Sequence, residues 1–558
     1  MNRVLDKDFA VSHNFFESDL ILKHFIDKYI SNAGRAFMLS KLQRLGQQAA
    51  GEMNPLSLIA DKQGPVLVKR DFYGETINKV EFHPAYEELT KIAVESGMFS
   101  VKWEPNNRQR FQQERHRLGF LAGYLYAMSE SGLYCPLCMT DGVARLIDRY
   151  CDEEDKARLL PHIYTENPEH LYTGAMFLTE KAGGSDVGAN LVTAQQYWEK
   201  YYLLNGEKWF CSNVNAEIIF ALARPHGAVE GTRGLGIFLV EQQKRDGSKN
   251  EMDVIRLKDK LGVRSMASAE CIMTDTEGKL VGEKGQGFKI MTDMINLSRL
   301  YNSVAAISGM RRALIEAYQF LKYRTTFGAN VLDHALVRTK LLELGALNVA
   351  NFYITWRAIE TLDKADNGDT QAKDLIRFLT PMVKKITAQD TVYSVRESME
   401  LMGGLGYIED GVMPKIMRDV MVLPIWEGAG NIMLLDMLRA MVKSKGSQVM
   451  IQEIQASMDQ LSDVDAAFLK EDLYQVQKLA ISLLTQNKDT IEATIKPLFE
   501  RLTRYYQITS MLYYRDEESK AWINPAIDYL ISQLKPQKLA LVRPPSREAI
   551  DQLLAWEI

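Results

Sequence analysis

The sequence has few cysteines, little excess charge and no long apolar run. Five cysteines in 558 residues (Cys135, Cys138, Cys151, Cys211 and Cys271) exclude a disulfide-stapled scaffold. Cys135 and Cys138 form a single C-x-x-C, with no second pair and no His pair at ligand spacing, so no structural zinc is expected. No βαβ context surrounds it either, which argues against a redox dithiol and for ordinary structural thiols. Lys+Arg (67) and Asp+Glu (72) leave a net charge of −5, which excludes a chain that coats nucleic acid by bulk charge. No stretch approaches the ~18 consecutive apolar residues a membrane-spanning helix needs. The first residues, MNRVLDKDFAVSHNFFESD, contain acidic groups and no apolar core segment, so they do not read as a secretory signal. The expected setting is the cytoplasm. There is no G-x-G-x-x-G after a strand and no G-x-x-x-x-G-K-[ST], so neither a Rossmann nicotinamide site nor a P-loop is expected. Internal repeats and low-complexity tracts are absent as well.

What is there suits a large globular chain. Hydrophobic residues make up 46% and charged residues 25%, enough for an extensive core. Residues 1–168 read as helix and loop, with helical spacing over 109–131 and a less regular stretch over 66–86 that fits a short hairpin or a long connection. From 169 to 283 the pattern changes to short aromatic and β-branched runs separated by Gly, Asn and Asp, a small β-barrel or sandwich domain. Over 284–442, four long helical segments (287–325, 334–366, 371–403 and 431–444) give a four-helix bundle. A helical extension covers 443–558. The fold class is therefore α+β, mostly helical.

Four segments carry residues suited to chemistry. In MFLTEKAGGSDVG (176–188), Gly183 and Gly184 allow close backbone approach to an anion, flanked by the hydroxyls of Thr179 and Ser185; by itself this is an ordinary Gly-rich turn. NGEKWFCSN (205–213) reads as a hairpin turn into an aromatic strand, where Phe210 suits a flat ring and Ser212 offers a donor. In YRTTFG (323–328), Arg324 suits a phosphate and Phe327 a stacking contact, although a surface ion pair at a helix end fits equally. In PIWEGAGNIMLLDML (424–438), Glu427 lies between Trp426 and Gly428, ahead of a helix that Asn431 could cap. A helix N-terminus favours its ionised form and an aromatic pocket its neutral form, a balance that suits proton abstraction near neutral pH. A solvated loop Glu is the plain alternative.

Together these segments resemble the acyl-CoA dehydrogenase family of flavoproteins in order, wording and spacing. TE-x-x-GGSD resembles the family's first flavin signature and GEKWFCSN its G-x-K-x-W-I-T-N strand. KLGVRSMASAE (260–270), RTTFG, ELMGGLGY (400–407) and MRDVMVLPIWEGAGNI (417–432) resemble the later signatures. The match runs over roughly 100–440. GGSDV, KDKLG-x-RS-x-AS, MRRA, IWEG-x-GNIM-x-LD-x-LR, the FHPAY element near residue 82 and the helices after 440 are similar to the AidB-like (adaptive-response) branch.

The resemblance implies an N-terminal helical domain, a central β domain and a C-terminal four-helix bundle, with FAD as cofactor. It implies that Met176, Leu178 and Thr179 line the flavin, that Phe210, Cys211 and Ser212 cover its other face, and that Ser185 meets the CoA or a cofactor phosphate. Arg324 and Phe327 would hold the ADP half, with Gly403 and Gly404 passing close across a subunit boundary, and Trp426, Gly428, Gly430 and Asn431 beside it. Thr179, Ser185, Ser212, Arg299 and Asn431 would contact an acyl-CoA substrate. Glu427 would be the base, its backbone N–H among the donors to the thioester oxygen. In some branches the base stands instead on a bundle helix next to an Arg; here that position is Ser298, beside Arg299, and a serine cannot serve. No metal is implied. Departures from the family pattern are Ala335 after His334 and Glu400, each where a Gln is usual, and Trp426 where Tyr is common. They put straight-chain substrates in doubt.

The resemblance further implies a homotetramer and an electron-transfer flavoprotein as electron acceptor. Its branch suggests an alternative, a DNA-associated protein of the alkylation-damage response with flavin chemistry secondary. Residues 441–558 hold 14 basic and 16 acidic residues, a net of −2, which is a poor footprint for duplex DNA. A local stripe would need Arg501, Arg504, Arg515, Lys535, Lys538, Arg543 and Arg547 to cluster. Apolar stripes such as LFERLTRYYQITSMLYY (498–514) are expected to pack on the bundle or on another subunit.

Overall fold

The computed structural model describes residues 11–536 and 543–557. They form two compact units, one made of residues up to Gly51, Gln112–Met128 and Asn302 onward, the other of Glu52–Phe111 and Ser129–Tyr301.

The second unit is built on strands. A hairpin, β1 (Val66–Arg70) and β2 (Thr76–Glu81), occupies the irregular stretch of the sequence. The main sheet contains β3 (Gly174–Phe177), β4 (Thr193–Trp198), β5 (Tyr201–Ser212), β6 (Ile218–Pro225), β7 (Gly236–Glu241), β8 (Met252–Leu257) and β9 (Ser268–Val281). Its order is β3-β6-β4-β5-β9-β7, and pairing of β6 with β7 closes the ring into a barrel. Closure removes the exposed edges that an open sheet leaves to solvent. Ala194, Leu204, Cys211, Ala221, Phe238 and Cys271 meet in the barrel core.

One local expectation is corrected here. Asn205-Gly206 is not a hairpin turn, because β5 runs through it from Tyr201 to Ser212. The ladder to β9 shifts register between Leu204 and Gly206, and Gly206 has φ 139°. A Cβ there would lie 2.9 Å from a Val192 methyl. The Asn-Gly signal marks a β-bulge, where the extra residue bends the strand and glycine admits the neighbouring backbone. The turn between β4 and β5 lies earlier, at Glu199 with φ 40°.

The first unit is helical. Its bundle consists of α1 (Gly287–Tyr323, which joins this unit from Asn302), α2 (Ala335–Asp366), α3 (Thr370–Met402) and α4 (Gly430–Lys443). The extension adds α5 (Gly446–Met458), α6 (Asp463–Leu483), α7 (Lys488–Tyr513), α8 (Lys520–Leu534) and α9 (Arg547–Leu554). α7 and α8 pack on α2, and α9 closes against α2 with Leu553 on Gly345, so the extension is integral to this unit. Helix Arg115–Ala127 is buried almost all round, between Asn32–Ala50 and α2. The N-terminal residues thus divide between the units: change of element type along the chain marks the boundaries read from sequence, whereas burial of a helix on every side is decided by partners remote in sequence. No helix among the described residues is long and apolar enough to cross a membrane.

Candidate active site

Two groups of motif residues form, one in each unit. In the barrel unit, the segment after β3 lies alongside β5: the Trp209 N–H donates to the Thr179 carbonyl at 2.9 Å. Glu180 and Gly183 exchange backbone hydrogen bonds of 3.2 and 3.1 Å, closing a tight turn. A Cβ on Gly183 would lie 2.1 Å from the Asp186 carbonyl oxygen, so that position has no room for a side chain. Met176, Leu178 and Thr179 are half-buried, and Ser185 is exposed. Phe210 is 53% exposed, and the Lys258 ammonium lies 4.6 Å from its ring centre. Ser212 is half-buried, its hydroxyl 3.0 Å from that of Ser268.

Cys211 is a correction. Its side chain lies in the barrel core, where burial and then the adjacent Cys271 thiol push its own thiol well up. Only its backbone is available to a ligand. The ladder to β9 shifts register between Lys208 and Cys211, so Cys211 takes the inward position that strict alternation from Lys208 would give Phe210.

Beneath this surface is a buried ion pair that the sequence reading passed over. Lys208 is 0% exposed, and its Nζ lies 2.7 Å from Glu180 Oε1. Burial pushes the ammonium down while Glu180 opposes the shift. The Glu180 carboxylate also accepts the Leu191 and Val192 N–H groups. Asn213, at φ 56°, donates from its amide to the Gly174 carbonyl at 3.0 Å. A charged residue at a barrel-facing position of an otherwise apolar strand was the available signal.

Further along, Ser298 is buried, and its hydroxyl donates to the Ile295 carbonyl at 2.9 Å. Arg299 is largely buried and reaches Asn296 Oδ1 at 3.1 Å.

In the helical unit, Thr325–Thr326 and Ala329–Asn330 form a hairpin (β10 and β11) with a two-residue turn, Phe327 (φ 51°) and Gly328 (φ 79°). Positive φ at both positions is the geometry that matches the natural twist of a two-residue hairpin. It leaves Phe327 99% exposed. Arg324 Nη1 donates to the Met402 carbonyl at 3.4 Å and stands 3.7 Å from where a Cβ on Gly403 would be, which brings the RTTFG and GG stretches side by side. Space around Gly404 is open. His334 lies 3.2 Å from the Thr326 hydroxyl and precedes Ala335, the first residue of α2. Glu400 pairs with Arg396 on the surface.

Glu427 has φ 58° and Gly428 φ 105°. A non-glycine residue in the left-handed region is strained and persists only where its surroundings hold it. Lys384, buried on α3, donates from Nζ to the Gly428 carbonyl at 2.7 Å. The Trp426 indole N–H is buried with no acceptor among the described residues. The expected cap is corrected: α4 begins at Gly430, with Ala429 at the N-cap position and no side-chain cap bond, so Asn431 lies inside the first turn. Its first-turn amides therefore face outward from the helix end beside Glu427. Among the described residues no cluster suits a metal ion.

The chain matches the acyl-CoA dehydrogenase C-terminal domain over residues 285–442, the acyl-CoA dehydrogenase middle domain over 175–276, and the adaptive response protein AidB N-terminal domain over 8–167. It is 30% identical over 434 residues to the putative acyl-CoA dehydrogenase AidB of Escherichia coli, covering 76% of this chain and 78% of that protein. It is 29% identical over 438 residues to acyl-CoA dehydrogenase family member 11 of Caenorhabditis elegans, covering 76% and 70%. The crystal structure of C. elegans ACDH-11 in complex with C11-CoA superposes with a TM-score of 0.86 at 25% identity, covering 97% of this chain and 95% of that one. Consecutive domain matches and whole-length likeness together make this chain a member of the acyl-CoA dehydrogenase family, with the N-terminal region of its AidB branch.

Proposed function

We propose that the protein is an FAD-dependent acyl-CoA dehydrogenase in which Glu427 takes the α-proton of an acyl-CoA thioester. The observation that carries this reading is the loop Trp426–Gly428. It presents a carboxylate from a strained left-handed backbone, directly ahead of a helix with alanine at its N-cap.

Each unit carries residues suited to one part of the cofactor. The barrel unit offers an open aromatic ring, Phe210, with Thr179 and Ser212 beside it, suited to a flat heteroaromatic. The helical unit offers Arg324, the open backbone at Gly403 and Gly404, and the α4 amides with Asn431, suited to phosphate oxygens. The unsatisfied Trp426 N–H is a further donor near the base. When bound, FAD supplies the acceptor for the hydride that leaves the substrate β-carbon.

The chain's own part is to bind, orient and move the proton. The Glu427 carboxylate accepts the α-proton, and its backbone N–H donates to the thioester oxygen as charge develops there. Ser185 and Arg299 suit the substrate's polar groups. Trp426 reshapes the space over the base. The fully exposed Phe327 on its tight hairpin, with Leu336 and Tyr407 also exposed in this unit, supports completion of the FAD site by a second copy within a homotetramer. An electron-transfer flavoprotein is the proposed acceptor, and the cytoplasm the proposed setting.

The DNA-associated reading draws little support from the extension. Arg501 pairs with Asp472, Arg504 with Asp390 and Lys535 with Asp465, while Arg515 donates to the Gln460 carbonyl and Arg547 lies 3.7 Å from Asp333. Arg543 is exposed, and Lys538 lies outside the described residues. Arg501, Arg504 and Lys535 are thus engaged by carboxylates of this chain, which weakens a stripe for phosphates.

The test is anaerobic titration of the FAD-loaded protein with a panel of acyl-CoAs, following flavin absorbance, with Glu427→Gln alongside. One acyl-CoA should bleach the wild type, and the variant should bind it and bleach ~10²–10⁴-fold more slowly. No bleaching by any acyl-CoA would sink the activity, and an equally fast variant would sink the base.

A further inference from the structure

The loop bearing Glu427 raises a physical question: what holds a non-glycine residue at φ 58° next to a glycine at φ 105°? Local sequence does not, because the left-handed region is disfavoured for any residue with a Cβ. Ala429, at the N-cap of the helix that follows, has no polar side chain to tie the turn either. The observed tie comes from across the bundle. Lys384, in the middle of α3 and 1% exposed, places its ammonium 2.7 Å from the Gly428 carbonyl oxygen, one peptide beyond the Glu427 side chain.

A buried ammonium is costly unless it is paired, so its location is informative. The other charged groups around this part of α3 are committed to one another: Arg377 to Asp436 on α4, Lys385 to Glu500 on α7, and Asp390 to Arg504 on α7. Lys384 reaches the backbone of the 427–428 turn. A shorter or neutral side chain at this position cannot both span the distance and donate to a carbonyl with a full positive charge.

We propose that Lys384 is a positioning residue for the proton-transfer step. It clamps the Gly428 carbonyl, keeps Glu427 in its left-handed conformation, and places a cation beside the carboxylate that accepts the α-proton. This rests on Glu427 being the base, and the experiment separates the two claims.

The FAD-loaded Lys384→Met, Lys384→Gln and Lys384→Arg variants would be compared with wild type and Glu427→Gln. The measurements are FAD content, melting temperature, acyl-CoA affinity, anaerobic flavin reduction, and α-proton exchange of the acyl-CoA in D2O followed by NMR. Lys384→Met should keep its FAD and bind acyl-CoA within about 3-fold, while both exchange and reduction slow by ~10- to 100-fold, the scale expected of a misplaced reacting group. Lys384→Arg, which keeps charge and donor, should recover most of the rate. Should the methionine variant not fold, Lys384→Gln carries the same expectation. The proposal is overturned if the folded neutral variant exchanges and reduces at the wild-type rate, or if its losses track FAD content or acyl-CoA affinity instead of rate. If Glu427→Gln itself exchanges normally, the base assignment fails, whatever Lys384 does.

Discussion

Within the helical unit, the junction of the extension with the bundle and the turns that carry the candidate site residues solve opposite problems. At the junction, charged and polar groups are buried and paired. Arg504 forks onto both oxygens of Asp390 at 2.8 and 2.9 Å, Asn351 donates to Asp390 at 2.9 Å, and Gln507 donates back to Asn351 at 3.0 Å. Nearby, Glu360 accepts the Tyr513 and Tyr514 hydroxyls, and Arg357 and Tyr506 share Glu453. The turns at Phe327 and Glu427 show the reverse: a bare aromatic ring, strained backbone, a helix with alanine at its N-cap and an indole N–H without an acceptor among the described residues. The difference teaches where to look for function. A region whose charged groups are paired internally is finished as a structure, whereas one that keeps a strained turn and an open ring is built to meet something else.

The sharpest way to break this comparison is to cut the junction. Arg504→Met leaves Asp390 buried without its cation and is expected to destabilise the protein by roughly 3–5 kcal/mol, measured by denaturant unfolding. Acyl-CoA affinity of the folded fraction should not change. An unaltered midpoint would show that the network is decorative.

A second effect depends on pH. Burial alone would raise Glu360, but Arg357, Lys364 and the Tyr514 hydroxyl outweigh it and hold the carboxyl at about 2. Asp516, which His24 contacts at 3.0 Å, is likewise held at about 2 by the Ser519 N–H and hydroxyl and by His24, against its partial burial. Both folded-state values lie below those of the unfolded chain, so the unfolded state takes up protons first as pH falls. Their stabilisation is complete above ordinary carboxyl values and drains away as pH drops from about 5 towards 2. Melting temperature measured across that range should fall less steeply in Glu360→Gln, which starts lower at neutral pH.

The smallest expected effect sharpens the other side. Phe327→Ala removes a ring that packs on little, so stability should change by no more than about 0.5 kcal/mol. FAD content and oligomeric state are where a change should appear, by absorbance ratio and by analytical ultracentrifugation. A large drop in melting temperature with FAD retained would mean that the ring supports the fold and not the site.

Much of this molecule was legible from residue order. The bundle helices expected over 287–325, 334–366, 371–403 and 431–444 fall within a residue or two of their observed ends, because helix periodicity and Gly, Pro or Asn punctuation are local properties. The motif segments were legible for the same reason: glycines and hydroxyls at short spacing write a backbone turn directly into the chain. Asn205-Gly206 misled because a bulge and a hairpin ask the same backbone freedom of glycine, and only the partner strand tells them apart. Asn431 misled because a one-residue shift in helix start turns a cap into an interior position.

The sequence by itself determined the mostly helical class with one β domain and which segments are candidates for chemistry. Only tertiary structure decided that Arg501, Arg504 and Lys535 of the extension pair with Asp472, Asp390 and Asp465, that Lys208 and Glu180 anchor the GG turn, and that Lys384 reaches Gly428. Those are contacts between residues distant in sequence, whose energies depend on burial and on the approach of charges that no local pattern encodes.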